Sequence, residues 1–161
     1  DAIWIHTGGK VVFMNPAAQQ LFGAGSPEQL LGSEALDRIP EEFRAAMGNR
    51  VYGCDDCQLV CPWNKFAKTT NDADFRVRNG LDDAELVALF AWTTHDFSTR
   101  LAGSAIHRIG YERWLRNLAV GLGNAPSTPA VIAALHSRHD DASSLVREHV
   151  AWAIAQHEPA A

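Results

Sequence analysis

No apolar run in this 161-residue sequence approaches the ~18 residues that cross a bilayer. The longest, Leu86–Trp92 and Val150–Ile154, break far short of it, so no membrane span is expected. No basic stretch followed by an apolar core opens the chain, which excludes a visible secretory leader. The first residue is Asp1 rather than Met, which points to a longer parent. Positive charge is also short: 14 Lys+Arg face 19 Asp+Glu, a formal charge of −5. That balance argues against indiscriminate binding of nucleic acid and leaves room only for a local basic face. Cysteine is scarce, with three in the whole chain and all of them between Cys54 and Cys61. An odd number at such tight spacing excludes a disulfide framework and favours thiolates kept reduced in the cytoplasm as metal ligands. With 47% hydrophobic and 20% charged residues the chain is globular, long enough for one ordinary domain or two small ones.

The charge is unevenly spread. Between residues 97 and 139, Arg100, Arg108, Arg113, Arg116 and Arg138 face only Glu112. Such a stretch can track a phosphate backbone, or it can simply be a solvated helix face.

The cysteines stand in Cys54-Asp-Asp-Cys57-Gln-Leu-Val-Cys61-Pro62-Trp63-Asn64. The bacterial iron–sulfur run is C-x2-C-x2-C-x3-C-P, and these three fit its second, third and fourth positions. The first position falls on Val51, which cannot ligate, so the run supplies three thiolates at most. In two-cluster ferredoxins the last of the four serves the other cluster, which would leave Cys54 and Cys57 sharing one iron site. Zinc is the rival, but it needs a second pair of ligands at knuckle-like spacing, and His95 and His107 lie far downstream. The Pro after Cys61 favours iron–sulfur, because it turns the chain away from a cluster. Asp55, Asp56 and Gln58 either tune a bound cluster or are polar loop residues in solvent.

Upstream, Ala2–Thr7 and Lys10–Asn15 read as two strands joined by Gly8-Gly9, a hairpin signal. Asn15 and Pro16 then open a helix through Phe22, ended by Gly23. Ser26, with Gln29 three residues on, reads as a second helix start. Downstream, residues 69–80 are polar loop. Asp82 caps a helix carrying Leu86, Leu89 and Phe90, and Thr94 or Asp96 caps a shorter one carrying Phe97 and Leu101. Tyr111–Gly123 places Trp114, Leu115, Leu118, Ala119 and Leu122 on one stripe, with Gly123-Asn124 as C-cap. Thr128-Pro129 opens a helix with Ile132 and Leu135 inward, and Ser143 opens the last, with Val146, His149, Val150, Ala153 and Ile154 inward. The last and the Tyr111 helix align at an offset of 31 residues, Leu115-Arg-Asn against Val146-Arg-Glu, as stacked helical repeats do. The fold expected is mainly α: HEAT-like helical repeats at the C-terminus, a ferredoxin-like cysteine loop in the middle, and a small N-terminal β-hairpin with helices.

Two resemblances follow. Residues 1–38 resemble the first half of a PAS sensor domain, through Gly9-Lys-Val-Val-Phe-Met-Asn-Pro-Ala-Ala, Leu21-Phe-Gly-Ala and Ser26-Pro-Glu-Gln-Leu-Leu-Gly32. The later strands of such a domain have no counterpart here. Residues 39–161 resemble the C-terminal part of epoxyqueuosine reductase. The carriers are Ile39-Pro-Glu-Glu-Phe-Arg, Gly48-Asn-Arg-Val-Tyr-Gly followed by the cysteine run to Ala67, Gly103-Ser-Ala-Ile-His-Arg, Trp114-Leu-Arg-Asn-Leu-Ala and Val146-Arg-Glu-His-Val-Ala-Trp-Ala. The second resemblance implies an iron–sulfur, cobalamin-dependent oxidoreductase with two 4Fe–4S clusters, which reduces epoxyqueuosine to queuosine in the tRNA anticodon loop. It implies Cys54 and Cys57 on one cluster and Cys61 on the other. It further suggests Arg108, Arg113 and Arg116, with Lys65 and Lys68 behind them, as contacts to the tRNA anticodon stem-loop. Arg116 and Asn117 are equally placed to brace the repeat.

The domains expected are 1–38 (partial PAS-like), 39–72 (iron–sulfur motif and flanks) and 73–161 (HEAT-like). Three thiolates do not make two clusters, and the cobalamin-binding domain has no counterpart in these residues. A fragment or rearranged form, inactive as an isolated chain, is therefore expected. The alternatives are a PAS-like sensor or dimerising element fused to a helical scaffold with a redox-sensing cysteine loop, and a helical RNA- or protein-binding module without metal. The sensor reading brings a homodimer through the N-terminal segment.

Overall fold

A computed structural model describes residues 1–34 and 39–158. The expected boundary between residues 38 and 39 begins outside them. Strands β1 (Trp4–Thr7) and β2 (Lys10–Met14) pair antiparallel around Gly8 and Gly9, both at positive φ as a two-residue hairpin turn requires. Helix α1 (Pro16–Leu21) follows directly. Asn15 fastens the two together, its Oδ1 accepting from the Ala18 N–H at 2.9 Å and the Ile3 N–H at 3.0 Å.

The helix expected from Ser26 is only a 3₁₀ turn, Pro27–Gln29, and Ser26 does not cap it. The Gln29 side chain accepts instead from the Gly25 N–H, outside the turn. The following segment returns to β2, where Gly32 N–H donates to the Val11 carbonyl and Val11 N–H to the Ser33 carbonyl. The core here is small: Val11, Met14, Ala18 and Leu30. Among the described residues the sheet has two strands, which is marginal on its own.

The remainder is helical: α2 (Glu41–Met47), α3 (Asp56–Leu59), α4 (Leu86–Phe90), α5 (Thr94–Arg100), α6 (Tyr111–Gly123), α7 (Pro129–His136) and α8 (Ser144–His157). Helix α4 starts after Glu85 rather than at Asp82, because Glu85 is the last residue in extended backbone. Helix α5 is capped by Thr93, one residue before the expected Thr94; Thr93 and Asp96 form a reciprocal capping box. Helix α7 has its expected cap, Thr128, but buries Val131 and Leu135 and leaves Ile132 half-buried. Helix α2 has no counterpart among the expected elements.

One core joins α4 to α8. Leu115, Leu118 and Leu122 of α6 meet Val146, Val150 and Ala153 of α8, with Phe90, Leu101, Trp114 and Leu135 around them. Each such side chain stabilises the fold by roughly 1.5–3 kcal/mol on burial. The two long helices approach closely at Gly123. A Cβ there would lie 2.6 Å from Cζ3 of Trp152 and 3.0 Å from Cα of Ala153. Gly123→Ala is therefore expected to cost about 1–3 kcal/mol by overpacking, read as a lower urea midpoint with unchanged slope.

His149 sits wholly buried in this core, its Nδ1 donating to the Leu145 carbonyl at 2.9 Å. Burial, reinforced by the neighbouring Arg44 and Arg116 charges, lowers its pKa from 6.5 to about 4; the Leu145 carbonyl and Glu148 oppose the shift. The folded state thus keeps the ring neutral at pH values where the unfolded chain protonates it. Stability falls as pH drops from 6.5 towards 4, by on the order of 3 kcal/mol in full. Urea denaturation from pH 7 to 4.5 is expected to show that slope in the parent and a flatter one in His149→Leu.

Candidate functional site

The cysteine loop hangs from α6. Asn117 Nδ2 donates to the Val51 carbonyl at 2.7 Å. Two turns further along, Asn124 Nδ2 reaches the carbonyls of Arg44 (2.8 Å) and Gly48 (3.0 Å). Arg44 ties the same segment to α8: 5% exposed, it donates from Nη2 to Glu148 at 2.7 Å and lies over the Trp152 ring. The backbone entering the loop is thus held from the middle of α2 to just beyond its C-terminal end.

Beyond Val51 the chain turns sharply. Gly53 is at φ 68° and Asp55 at φ 54°, a left-handed position that Asp tolerates better than most residues. The single turn α3 then carries Cys57, and Cys61 precedes a 3₁₀ turn, Pro62–Phe66, that begins on the proline. The loop's polar residues bond one another: Gln58 Nε2 to Asp55 Oδ1 (3.1 Å), Asn64 Nδ2 to the Gln58 carbonyl (2.7 Å), Arg50 to Asp56 (3.1 Å).

Cys54 and Cys57 are exposed, Cys61 half-buried, and none is in a disulfide. Among the described residues no three His, Cys, Asp or Glu side chains converge where they could hold a metal ion. The donors are the soft thiolates an iron–sulfur cluster takes, but a 4Fe–4S cluster needs four. The described residues carry part of a ligand set and do not close one. His107 is stacked on Phe97, with ring centroids 5.4 Å apart, away from any thiolate pair.

Around the cysteines the apolar surface is bare. Leu59, Val60, Trp63, Phe66, Phe75 and Val77 are between 61% and 78% exposed. Scattered exposed apolar residues are ordinary, but six within nineteen consecutive positions make this segment unusually apolar for an exposed one. Lys65 and Lys68 are exposed on the same segment, Lys65 over the Phe66 ring.

The three arginines lie elsewhere and together. Arg108, Arg113 and Arg116 line one cleft of about 610 Å³, between the N-terminal hairpin, α2 and α6. Arg108 is exposed, Arg113 pairs with Glu34 at 3.5 Å, and Arg116 is only 6% exposed. Trp4, Phe22 and Phe43 form the apolar walls. Sequence patterning missed Arg44 and the long reach of Asn124: the first carries no motif, and the second reads locally as a helix cap.

A protein-family profile described as a 4Fe-4S double cluster binding domain matches residues 19–64. The epoxyqueuosine reductase of Xanthomonas campestris pv. campestris is 63% identical over 119 residues, 74% of this chain and 34% of that protein. That of Escherichia coli is 55% identical over 118 residues, 73% of this chain and 31% of that protein. A crystal structure of epoxyqueuosine reductase with a tRNA-Tyr epoxyqueuosine-modified tRNA stem loop superposes with a TM-score of 0.67 at 27% identity, covering 76% of this chain and 33% of that one. An epoxyqueuosine reductase structure from Bacillus subtilis shares the fold over 89% of this chain and 41% of its own length, TM-score 0.66, at 24% identity. The chain spans about a third of the length of the curated relatives it matches. The resemblance of residues 39–161 to the C-terminal part of epoxyqueuosine reductase is borne out. No helix of the described residues is long and apolar enough to cross a membrane.

Asn124→Ala removes two buried-side hydrogen bonds that hold α2 to α6. It is expected to cost about 2 kcal/mol, measured as a fall in the urea midpoint.

Proposed function

From the kinship of residues 39–161 with epoxyqueuosine reductases, we propose that this chain is a fragment or rearranged form of such an oxidoreductase. It supplies a cluster-ligand loop and a helical scaffold to the reduction of epoxyqueuosine in the tRNA anticodon loop. Cys54 and Cys57 ligate one 4Fe–4S cluster and Cys61 the other, an assignment supported by the spacing of the cysteine run in two-cluster ferredoxins. Residues 73–161 form a HEAT-like helical domain that includes α4 to α8; residues 39–72 are the iron–sulfur segment and 1–38 the PAS-like one. The resemblance implies cobalamin as the group that performs the reduction, and the isolated 161 residues are expected to be inactive in it. A cytoplasmic location suits exposed, reduced thiols.

The observation that carries this reading is the incomplete thiolate set beneath a bare apolar face. A ligand loop that needs donors from outside itself must present just such a face to whatever brings them. The tRNA stem loop in a solved relative supports RNA as the partner, with Lys65, Lys68 and the three arginines as the cations available.

Iron and acid-labile sulfide per chain, after anaerobic reconstitution, test the reading. Substoichiometric, labile iron is expected, lost in Cys54→Ala/Cys57→Ala, with no epoxide reduction. Stoichiometric zinc with no iron would contradict it.

A second reading has one observation of its own. Ile3, Trp4, Ile5, Val12 and Phe13 on the hairpin are between 40% and 54% exposed. A sheet whose β1 strand pairs only with β2 among the described residues, and which carries these apolar side chains, can pair with its own copy, giving a sensor-like homodimer through residues 1–38. Light scattering of the full chain would then give twice the 17.6 kDa chain mass.

A further inference from the structure

The exposed thiols come as a pair. Cys54 and Cys57 are exposed, whereas Cys61, the third, is half-buried. A 4Fe–4S cluster takes four thiolates, so each chain brings half of one set to its surface. The pair stands at the head of the bare segment. Leu59, Val60, Trp63 and Phe66 follow close behind it and are between 62% and 78% exposed.

Charge on this segment suits a copy of itself. From Tyr52 to Asn79 four carboxylates meet four cations, so the segment is neutral in a chain of formal charge −5. Two copies that meet through it bring no net charge to the contact, while the remainder of the chain is acidic on balance. Beside the thiols, Arg50 pairs with Asp56 at 3.1 Å and Gln58 Nε2 donates to Asp55 at 3.1 Å.

We propose that two copies of this chain pair through residues 52–79 around a single 4Fe–4S cluster, each giving it Cys54 and Cys57. The proposal rests on the cluster-ligand reading above and names the source of the missing donors. A twofold contact sets each residue near its axis against its own copy. Two thiolates thereby become a full set, and a bare apolar face meets one of the same character. The step is ligation: iron and sulfide come from solution, and the thiols lose their protons as their sulfurs bind iron. This contact is separate from any that the hairpin makes.

The full chain is reconstituted anaerobically with iron and sulfide over a wide range of chain concentration, then freed of small thiols. Iron and sulfide per chain are measured together with native mass by light scattering. About two irons and two sulfides per chain are expected, in a species of twice the 17.6 kDa chain mass. Dilution or a chelator releases iron and partner together. Cys54→Ala/Cys57→Ala abolishes both. Leu59→Glu and Trp63→Glu, at bare positions, each raise the chain concentration needed for pairing about tenfold. Unchanged thermal unfolding of the metal-free variants establishes that they are folded.

A monomer that holds about four irons, or that keeps iron only while dithiothreitol is present, would overturn the proposal and leave the ligand reading standing. So would an iron-bound dimer that Val12→Glu dissolves and Leu59→Glu does not, since the hairpin would then be the contact. Zinc in place of iron, or no metal at any chain concentration, removes the ligand reading as well.

Discussion

Two asparagines on one helix set the position of everything that could do chemistry here. Asn117 and Asn124 stand on α6 and its C-cap and take the carbonyls of Val51, Arg44 and Gly48. Those carbonyls belong to the end of α2 and the start of the cysteine loop, where no regular ladder satisfies them. A side-chain amide that bonds two backbone carbonyls fixes a segment more firmly than apolar contact does, because the bond has direction. Helix α6 can serve this way only because its other face is locked in the core, against α8 at Gly123. Arg44 closes the arrangement from α8 through Glu148.

That constraint explains a contrast along the chain. Up to Val51 the backbone is pinned; from Tyr52 to Asn79 nearly every side chain is exposed, large apolar ones included. The loop is held at its root and bare over its length. A segment of this kind is unstable as a free surface and makes sense as half of an interface. Its three thiolates fit the same description, being of the right type and too few. The cleft on the other side of α2 is built from what the hairpin and α6 bring to it. The exposed loop and the open cleft thus both adjoin the one anchored element.

Much of the fold was legible in the sequence. Asn15-Pro16 and Thr128-Pro129 are local signals, and both cap the helices they promise. The stripe from Trp114 to Leu122 is buried as its period requires, and so is Val146–Ala153. What sequence patterning missed depends on distance. Glu85 moved one helix start because it is the last residue in extended backbone, and Thr93 moved another by one residue through its capping box with Asp96. Helix α2 has two leading glutamates and one inward residue, Arg44, so it shows no apolar stripe. Arg44 is buried because Glu148, 104 positions away, is there to meet it. The cysteine run was legible as an iron–sulfur motif from its spacing. That Arg108, Arg113 and Arg116 share a cleft with Trp4, Phe22 and Phe43 was not, because those residues come from five different elements.

Hydrogen exchange on the metal-free chain tests the anchoring most directly. If α6 holds the root of the loop, the amides of residues 44–51 that lie in hydrogen bonds exchange together with α6 and α8, while residues 52–79 exchange far faster. Residues 44–51 exchanging at the rate of the cysteine loop would contradict the account, because the loop would then have no fixed root from which to present its thiolates.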